Sequence, residues 1–338
     1  MAATESAVRV GIYGTGGWAR RTHIPHLNSL GAQIVCLCDA NEDAVNAAGD
    51  EFGIERRYTD GHQMLADEQI DVLYSCVPAY ARVDVEAAAA RQGIHLFSEK
   101  PQSTSIRVAR RIAEAVDAGG VLSTVCFRER YRPLFQEARR LLAGKQIVHA
   151  RFQSPGGLPT QERSRHKDRA WGHWMAKVGS RAFDWGVHAV DYLRFMTGLD
   201  VAKAQAFYHD PDPYTMPLSS AFQLAFTTGA TAQLSFVSAT STSPPNEPWF
   251  TIYYVGGYLA VHKYERIEVD GEVVYEADDF DPWYEQDRVF IDAVQRNDGS
   301  GLLNDYADGL KSLAPVLACW ESAHRGGRVI DVASFTAR

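Results

Sequence analysis

Short apolar runs alternate with helical patterns throughout the first 127 residues of this chain. Each run has the length of a buried strand, and all but the last are followed by a segment of helical periodicity. The runs are VRVGIY (8–13), AQIVCLCD (32–39), DVLYSCVP (71–78), IHLFSEKP (94–101) and VLSTVCF (121–127). Strands that alternate with helices form βαβ units, so the pattern predicts a parallel sheet covered by helices on both faces.

The pattern changes after about residue 145. Residues 146–153 alternate with period two, and three later segments are β-rich runs interrupted by turn residues. These are 219–240 with a Thr-Gly turn, 249–262 with a Gly-Gly turn and 265–277 with an Asp-Gly turn. Such turns are typical of antiparallel hairpins, so we expect a second domain built on a large, mostly antiparallel sheet.

The length of 338 residues suits two domains, because single domains usually hold about 100–200 residues. We expect a dinucleotide-binding domain at 1–126 and an α+β domain at 127–338. Helical spacing returns at 283–296 and 304–325. The C-terminal helix could belong to the second domain or pack against the first.

The composition argues against several classes of function. A net charge of −8 disfavours nucleic-acid binding, and no apolar run approaches the ~20 residues of a membrane helix. The first ten residues show no apolar signal region, and five scattered cysteines indicate free thiols in a reducing, cytoplasmic compartment. Cys36 and Cys38 are expected to be small buried hydrophobes on one face of a strand.

A glycine-rich turn, Gly14-x-Gly16-x-x-Ala19, joins the first strand to the first helix. Glycines there permit a tight turn close to a pyrophosphate, and the helix N-terminus favours negative charge. Asp39 ends the second strand, where an acid can bind a ribose diol and repel a 2′-phosphate. The pattern predicts NAD binding, with NADP disfavoured, although Asp39 could instead cap a helix.

The fourth of these apolar runs, 94–101, ends in Glu99–Lys100–Pro101. In an open α/β sheet, ligands bind beyond the carboxyl ends of the strands, so Glu99 and Lys100 are candidates to face a nicotinamide. Lys100 could donate to a reacting oxygen, and Pro101 directs the chain out of the sheet. The alternative is a surface Lys–Glu pair at a strand end.

Two residue pairs that include histidine have helical spacing. Asp184 and His188 are four residues apart, so in a helix they share a face and suit general acid–base work; a surface pair or a core histidine is the alternative. His23 and His26 could suit a metal, but no partner ligand lies nearby in sequence. We therefore expect packing or polar contact for that pair and no metal site.

The chain resembles the Gfo/Idh/MocA family, named for glucose–fructose oxidoreductase and inositol dehydrogenase. The resemblance spans nearly the whole chain and rests on an ordered set of motifs. These are GIYGTGGWA, CDANEDA, VP at 77–78, EKP, CFRERYRP and DWGVHAVDYLRFMTG, with a similar C-terminal helix. It implies an N-terminal Rossmann domain followed by a C-terminal α/β domain with a large, mostly antiparallel sheet.

The resemblance also implies an NAD-dependent oxidation of a sugar or cyclitol, with Lys100, Asp184 and His188 as the catalytic set. His188 would take the hydroxyl proton, Lys100 would hydrogen-bond the oxygen, and Asp184 would orient the substrate and His188. A hydride would pass to C4 of NAD. The implied cofactor-binding residues are Gly14, Thr15, Gly16, Gly17, Trp18, Ala19, Asp39, Val77, Pro78, Arg82, Glu99 and Lys100. Arg82 stands where the family often has histidine.

Substrate contacts are expected from Arg128, Arg130, Trp171 and Trp174, together with Asp184 and His188. Residues 161–174 form a basic, aromatic segment that suits a sugar-binding loop, or else a solvated loop with one or two buried tryptophans. Other functions open at this point are an NAD-dependent glycosidase and a non-catalytic NAD or sugar sensor. We also expect a homodimer or homotetramer, with the antiparallel sheet covered by a second subunit.

Overall fold

The computed structural model of the chain describes residues 7–159, 180–211, 213–214, 216–240, 242 and 244–338. The strands are β1 Arg9–Tyr13, β2 Gln33–Cys38, β3 Arg57–Tyr58, β4 Val72–Ser75, β5 His95–Ser98, β6 Ser123–Val125, β7 Ile147–Gly156, β8 Val201–His209, β9 Ser219–Phe226, β10 Thr231–Ser238, β11 Phe250–Tyr254, β12 Gly257–His262, β13 Arg266–Val269, β14 Glu272–Glu276 and β15 Ile330–Asp331. The helices are α1 Ile24–Ser29, α2 Glu42–Phe52, α3 Gly61–Asp67, α4 Val85–Arg91, α5 Ile106–Gly119, α6 Pro133–Leu142, α7 Ser180–Thr197, α8 Pro282–Arg296, α9 Tyr306–His324 and α10 Val332–Thr336. Across these ranges, no helix combines the length and the apolar character needed to cross a membrane.

The chain divides into two compact units. The first comprises Met1–Tyr131 with Asp281–Leu310, and the second comprises Arg132–Phe280 with Lys311–Arg338. Compactness alone does not define a folding domain, so the domain boundary expected at residue 126 stays a prediction.

The first unit contains the predicted parallel sheet. Within the described residues its strand order is β3-β2-β1-β4-β5-β6, and every pairing is parallel. The sheet core is fully buried at Val10, Ile12 and Phe97, and Phe290 of α8 packs into the same cluster. The buried thiols of Cys36 and Cys38 confirm their expected role as small hydrophobes.

The first helical segment is continuous over 17–29 and contains one turn with a different hydrogen-bond pattern. Ala19–His23 forms a π-helical turn in which the N–H of Ile24 donates to the carbonyl of Ala19, and α1 begins only at Ile24. Pro25 accounts for this turn, because it lacks the N–H that would donate to the carbonyl of Arg21 in a regular α-helix. π-Turns inside helices often occur at functional sites.

The second unit contains the large sheet, in the order β14-β13-β12-β11-β7-β10-β9-β8-β15 within the described residues. Only the β7–β10 pair is parallel there; the other pairs are antiparallel. The three predicted hairpins are confirmed. Asp270 and Gly271 both have positive φ, 52° and 90°, as the tight turn between β13 and β14 requires.

The two faces of this sheet differ in how far their large side chains are exposed. The large side chains of the β-rich runs, including Phe222, Phe236 and Phe250, are fully buried on the inner face. On the opposite face, Phe207 and Tyr253 remain 57% and 38% exposed. These large apolar side chains therefore form part of the unit's own core, while Phe207 and Tyr253 lie on the outer face.

We still expect the chain to form a homo-oligomer, because Phe207 and Tyr253 leave aromatic surface on a broad, regular sheet. Light scattering at micromolar concentration should give a dimer or tetramer mass, and Phe207→Asp should lower it. A monomeric mass for the unaltered chain would refute this expectation.

Candidate cofactor and catalytic site

The carboxyl ends of the central parallel strands bring several predicted residues to one edge of the first unit. β1, β4 and β5 are successive neighbours in the sheet. They are followed by Gly14, by Val77 and by Glu99–Lys100, respectively. The order of strands reverses between β1 and β4, and such a switch point is where open α/β sheets bind their ligands.

The glycine-rich turn fits a dinucleotide. Gly14 has φ +97°, and a Cβ there would lie 2.6 Å from the backbone nitrogen of Val77, so only glycine is accommodated. A Cβ on Gly16 would meet no heavy atom within 4 Å, which leaves open space beside the backbone. This combination of a tight turn and an open approach suits a pyrophosphate.

Asp39 is tied to the same turn. Its carboxylate accepts hydrogen bonds from the N–H of Thr15 at 2.8 Å and of Asn41 at 2.9 Å. Asn41, not Asp39, caps α2, so the capping alternative for Asp39 does not hold. A carboxylate has about four acceptor positions, so Asp39 retains capacity for a ribose diol.

Glu99 and Lys100 lie directly beyond β5. Glu99 is 7% exposed, and one of its oxygens accepts from the backbone N–H of Lys100 at 3.0 Å. Its other oxygen accepts from the indole Nε1 of Trp18 at 2.8 Å. Trp18 itself is 41% exposed, and Lys100 is half-buried. Glu99 therefore links the strand end to the glycine-rich turn.

His23 is fully buried between two carboxylates. Its Nδ1 lies 2.9 Å from Asp287 Oδ1, and its Nε2 lies 3.0 Å from Glu99 Oε1. His26 Nδ1 lies 3.0 Å from the other oxygen of Asp287, which confirms the polar contact expected for both histidines. Asp287 was missed as a site residue because it follows His23 by 264 positions, and no local pattern connects the two.

The two groups hold each other charged. Burial alone lowers the pKa of His23, but Asp287 and then Glu99 raise that pKa to about 10. Burial alone raises the pKa of Glu99, but His23 and then Lys100 lower that pKa to about 2. The contribution of His23 to the free energy of unfolding is complete below its unfolded pKa of about 6.5 and is lost as pH rises through 10. The contribution of Glu99 is complete above its unfolded pKa of about 4.5 and is lost as pH falls through 2.

Three predicted arginines have mostly internal partners in the first unit. Arg82 is buried, and its guanidinium donates to Ser98 Oγ and to the carbonyl of Val77, so it braces the turn after β4. Arg130 donates to the carbonyl of Leu303 at 2.6 Å and pairs with a carboxylate of α9. Arg128 stacks on the ring of Trp283 at 4.0 Å. Their expected contacts with cofactor or substrate stay predictions.

Asp184 and His188 lie in the second unit, on α7. The segment is helical over Ser180–Thr197, so the two residues are one turn apart on one side, as predicted. His188 is 3% exposed; its Nδ1 lies 3.4 Å from the hydroxyl of Tyr192, and its ring lies 5.8 Å from that of Trp185. Asp184 is half-buried near Arg181. Burial lowers the pKa of Arg181 by more than the charge of Asp184 raises it.

Buried polar contacts fix α7 within its unit. Ser312 donates to Asp191 at 2.8 Å, and Arg194 bonds both Ser312 and Asp200. Gly186 packs against Val316, where a Cβ would lie 3.2 Å from a methyl group. The helix therefore presents Asp184 and His188 from a rigid support. Trp171, Trp174 and the rest of the 161–174 segment lie outside the described residues.

Comparison with known protein families identifies both halves of the chain. Residues 8–127 match the oxidoreductase family with an NAD-binding Rossmann fold, and residues 135–260 match the GFO/IDH/MocA C-terminal domain. The chain belongs to the Gfo/Idh/MocA oxidoreductase family. The resemblance and the predicted fold class are thereby confirmed, and residues 8–127 of the first unit match the NAD-binding Rossmann part of this family.

Individual Gfo/Idh/MocA relatives include named sugar and cyclitol dehydrogenases. The chain is 27% identical to a scyllo-inositol 2-dehydrogenase (NAD(+)) of Bacillus subtilis, over 58% of this chain and 56% of that protein. It is 24% identical to a D-xylose 1-dehydrogenase (NADP(+)) of Haloferax volcanii, over 94% of this chain and 98% of that one. An Agrobacterium radiobacter oxidoreductase solved with NAD+, L-tartaric acid and magnesium has a TM-score of 0.80 at 22% identity, covering 97% and 99%.

Proposed function

We propose that the protein is an NAD-dependent dehydrogenase that moves a hydride between a carbinol carbon of a sugar or cyclitol and nicotinamide. The observation that carries this proposal is the position of Lys100, beyond β5 on the same sheet edge as the open glycine-rich turn. The names of the dehydrogenase relatives support the substrate class.

Lys100, Asp184 and His188 are the proposed catalytic residues. His188 is the general base that accepts the hydroxyl proton of the substrate. The Lys100 ammonium donates to the substrate oxygen and stabilises the negative charge that develops there. Asp184 orients the substrate hydroxyls and the imidazole. When bound, the nicotinamide supplies the hydride acceptor.

A panel of sugars and cyclitols tests the proposal. The protein is incubated with NAD and each compound, and NADH formation is followed by absorbance together with the oxidised product, a ketone or a lactone. Turnover of at least one compound is expected. Cleavage of a glycoside without net NADH would indicate the glycosidase, and NAD binding without any turnover would indicate the sensor.

A preference for NAD over NADP is also proposed, because the Asp39 carboxylate would repel a 2′-phosphate. Two charges about 4 Å apart interact by about 1–4 kcal/mol, so removal of the charge should improve NADP binding by about fivefold or more. Calorimetry should show tighter NAD binding by the wild type and a loss of preference in Asp39→Ala. Asp39→Asn separates charge from hydrogen bonding, since its amide oxygen can still accept from Thr15. Tighter NADP binding by the wild type would contradict the proposal.

A further inference from the structure

We propose that His23 is a positioning residue, which fixes the Glu99 carboxylate and through it the backbone at Lys100 and the indole of Trp18. Only the expected effect on turnover rests on the function proposed above. His23 belongs to none of the predicted cofactor, substrate or catalytic residues, yet it is fully buried next to the strand end that carries Lys100.

In the part of the chain that the structure describes, three nitrogen donors hold Glu99 and leave it little freedom. His23 Nε2 and Trp18 Nε1 share Oε1, at 3.0 and 2.8 Å, and the N–H of Lys100 takes Oε2 at 3.0 Å. Asp287 holds the opposite side of the imidazole from α8. Since each carboxylate oxygen serves a different neighbour, rotation of the Glu99 carboxylate would disturb the glycine-rich turn and the strand end together.

A hydrogen-bonded imidazolium explains the cluster better than a metal does. Among the described residues, His23, Glu99 and Cys126 present possible ligand atoms within 4.8 Å of one another. A metal would need a lone pair on His23 and a thiolate at Cys126. Both nitrogens of His23 face carboxylates, and burial followed by the charge of Glu99 raises the pKa of Cys126 well above its ordinary value.

Two substitutions separate the two sides of the imidazole. The amide nitrogen of glutamine reaches about as far as Nε2 and can donate to Glu99, whereas that of asparagine reaches about as far as Nδ1 and can donate to Asp287. If His23 acts by positioning Glu99, then His23→Gln should keep more function than His23→Asn. A role confined to stability would not produce this order in turnover per folded molecule.

The first readout does not depend on activity. The N–H of Lys100 is protected by Glu99 Oε2, so its hydrogen exchange, measured by NMR at pH 7, reports the position of that carboxylate. We expect hydrogen exchange at the Lys100 N–H to be faster in His23→Asn than in His23→Gln. Calorimetry should also show weaker NAD binding by His23→Asn than by His23→Gln. His62→Gln is the matched control, because His62 pairs with Asp84 at 3.1 Å on the surface and should change neither quantity.

The kinetic readout follows on whichever compound the panel identifies. His23→Asn should lower kcat by roughly 10- to 100-fold, the range for a catalytic group displaced by about 1 Å, and His23→Gln should lose less. If His23→Asn does not fold, the test uses Glu99→Gln instead. The glutamine amide has only one oxygen, so its NH2 group must face either the N–H of Lys100 or the donors of His23 and Trp18. That variant should show the same faster exchange at Lys100.

The outcomes separate this inference from the proposed function. Turnover of no compound by the wild type would refute the function, while the exchange at Lys100 would still test the positioning. An active wild type in which neither His23→Asn nor Glu99→Gln alters exchange at Lys100 would overturn the inference. So would stoichiometric zinc in the purified protein that is lost in His23→Asn.

Discussion

Replacement of Lys100 by alanine should lower turnover by about 100-fold or more, which corresponds to about 3 kcal/mol of barrier for a missing electrostatic donor. The loss should appear mainly in kcat, because the Lys100 ammonium interacts with charge that develops on the substrate oxygen in the transition state. The fold and much of the NAD affinity should remain. Steady-state kinetics and NAD calorimetry on the same preparation measure the two effects.

Lys100→Arg should not rescue activity, since a planar guanidinium cannot place its charge where the ammonium was. Lys203→Ala is the matched control, because Lys203 is an exposed lysine on β8 of the other unit. Near-wild-type turnover by Lys100→Ala would mean that the lysine is only a strand-end residue, and it would contradict the proposed role of Lys100 as the donor to the substrate oxygen.

Replacement of His188 by alanine should lower turnover by about 100- to 10,000-fold, the range for a lost general base. The defect should be smaller at high pH, because hydroxide can then take the substrate proton. A pH profile of kcat for wild type and His188→Ala measures this relief. His209→Ala, at an exposed histidine at the end of β8, should leave the profile unchanged.

The double variant Lys100→Ala, His188→Ala should lose less than the product of the two single losses, because groups that act on one transition state are not additive. Full multiplicative loss would indicate that the two residues act in independent steps. Equal losses for His188→Ala at every pH would contradict its assignment as the base.

The fold could be predicted in unusual detail because both halves of the chain carry local signals. The parallel sheet follows from apolar runs that end at turn residues, and the hairpins follow from Thr-Gly, Gly-Gly and Asp-Gly pairs that adopt positive φ or a tight turn. Asn41 and Gly53 mark the two ends of α2 in sequence and in structure. Each of these features depends on residues within a few positions of one another.

The site could be predicted only where a motif marks it. The glycine-rich turn, Asp39 and the Glu99–Lys100 pair were found because each ends a strand. The contacts that hold Glu99 could not be predicted, because His23 binds both Glu99 and Asp287, and Asp287 lies 264 residues beyond His23 in the chain. Arg82 was expected to bind cofactor, and no local sequence pattern indicates that its guanidinium donates to Ser98 and to the Val77 carbonyl.

The most direct test of the proposed reaction follows the hydride itself. The compound identified by the panel is prepared with deuterium on the carbinol carbon and incubated with NAD, and the reduced cofactor is analysed by mass spectrometry. The proposed dehydrogenase should yield reduced cofactor carrying one deuterium, in equal amount to the oxidised product. Reduced cofactor without deuterium, or a cleaved glycoside with no net reduction of NAD, would contradict the account.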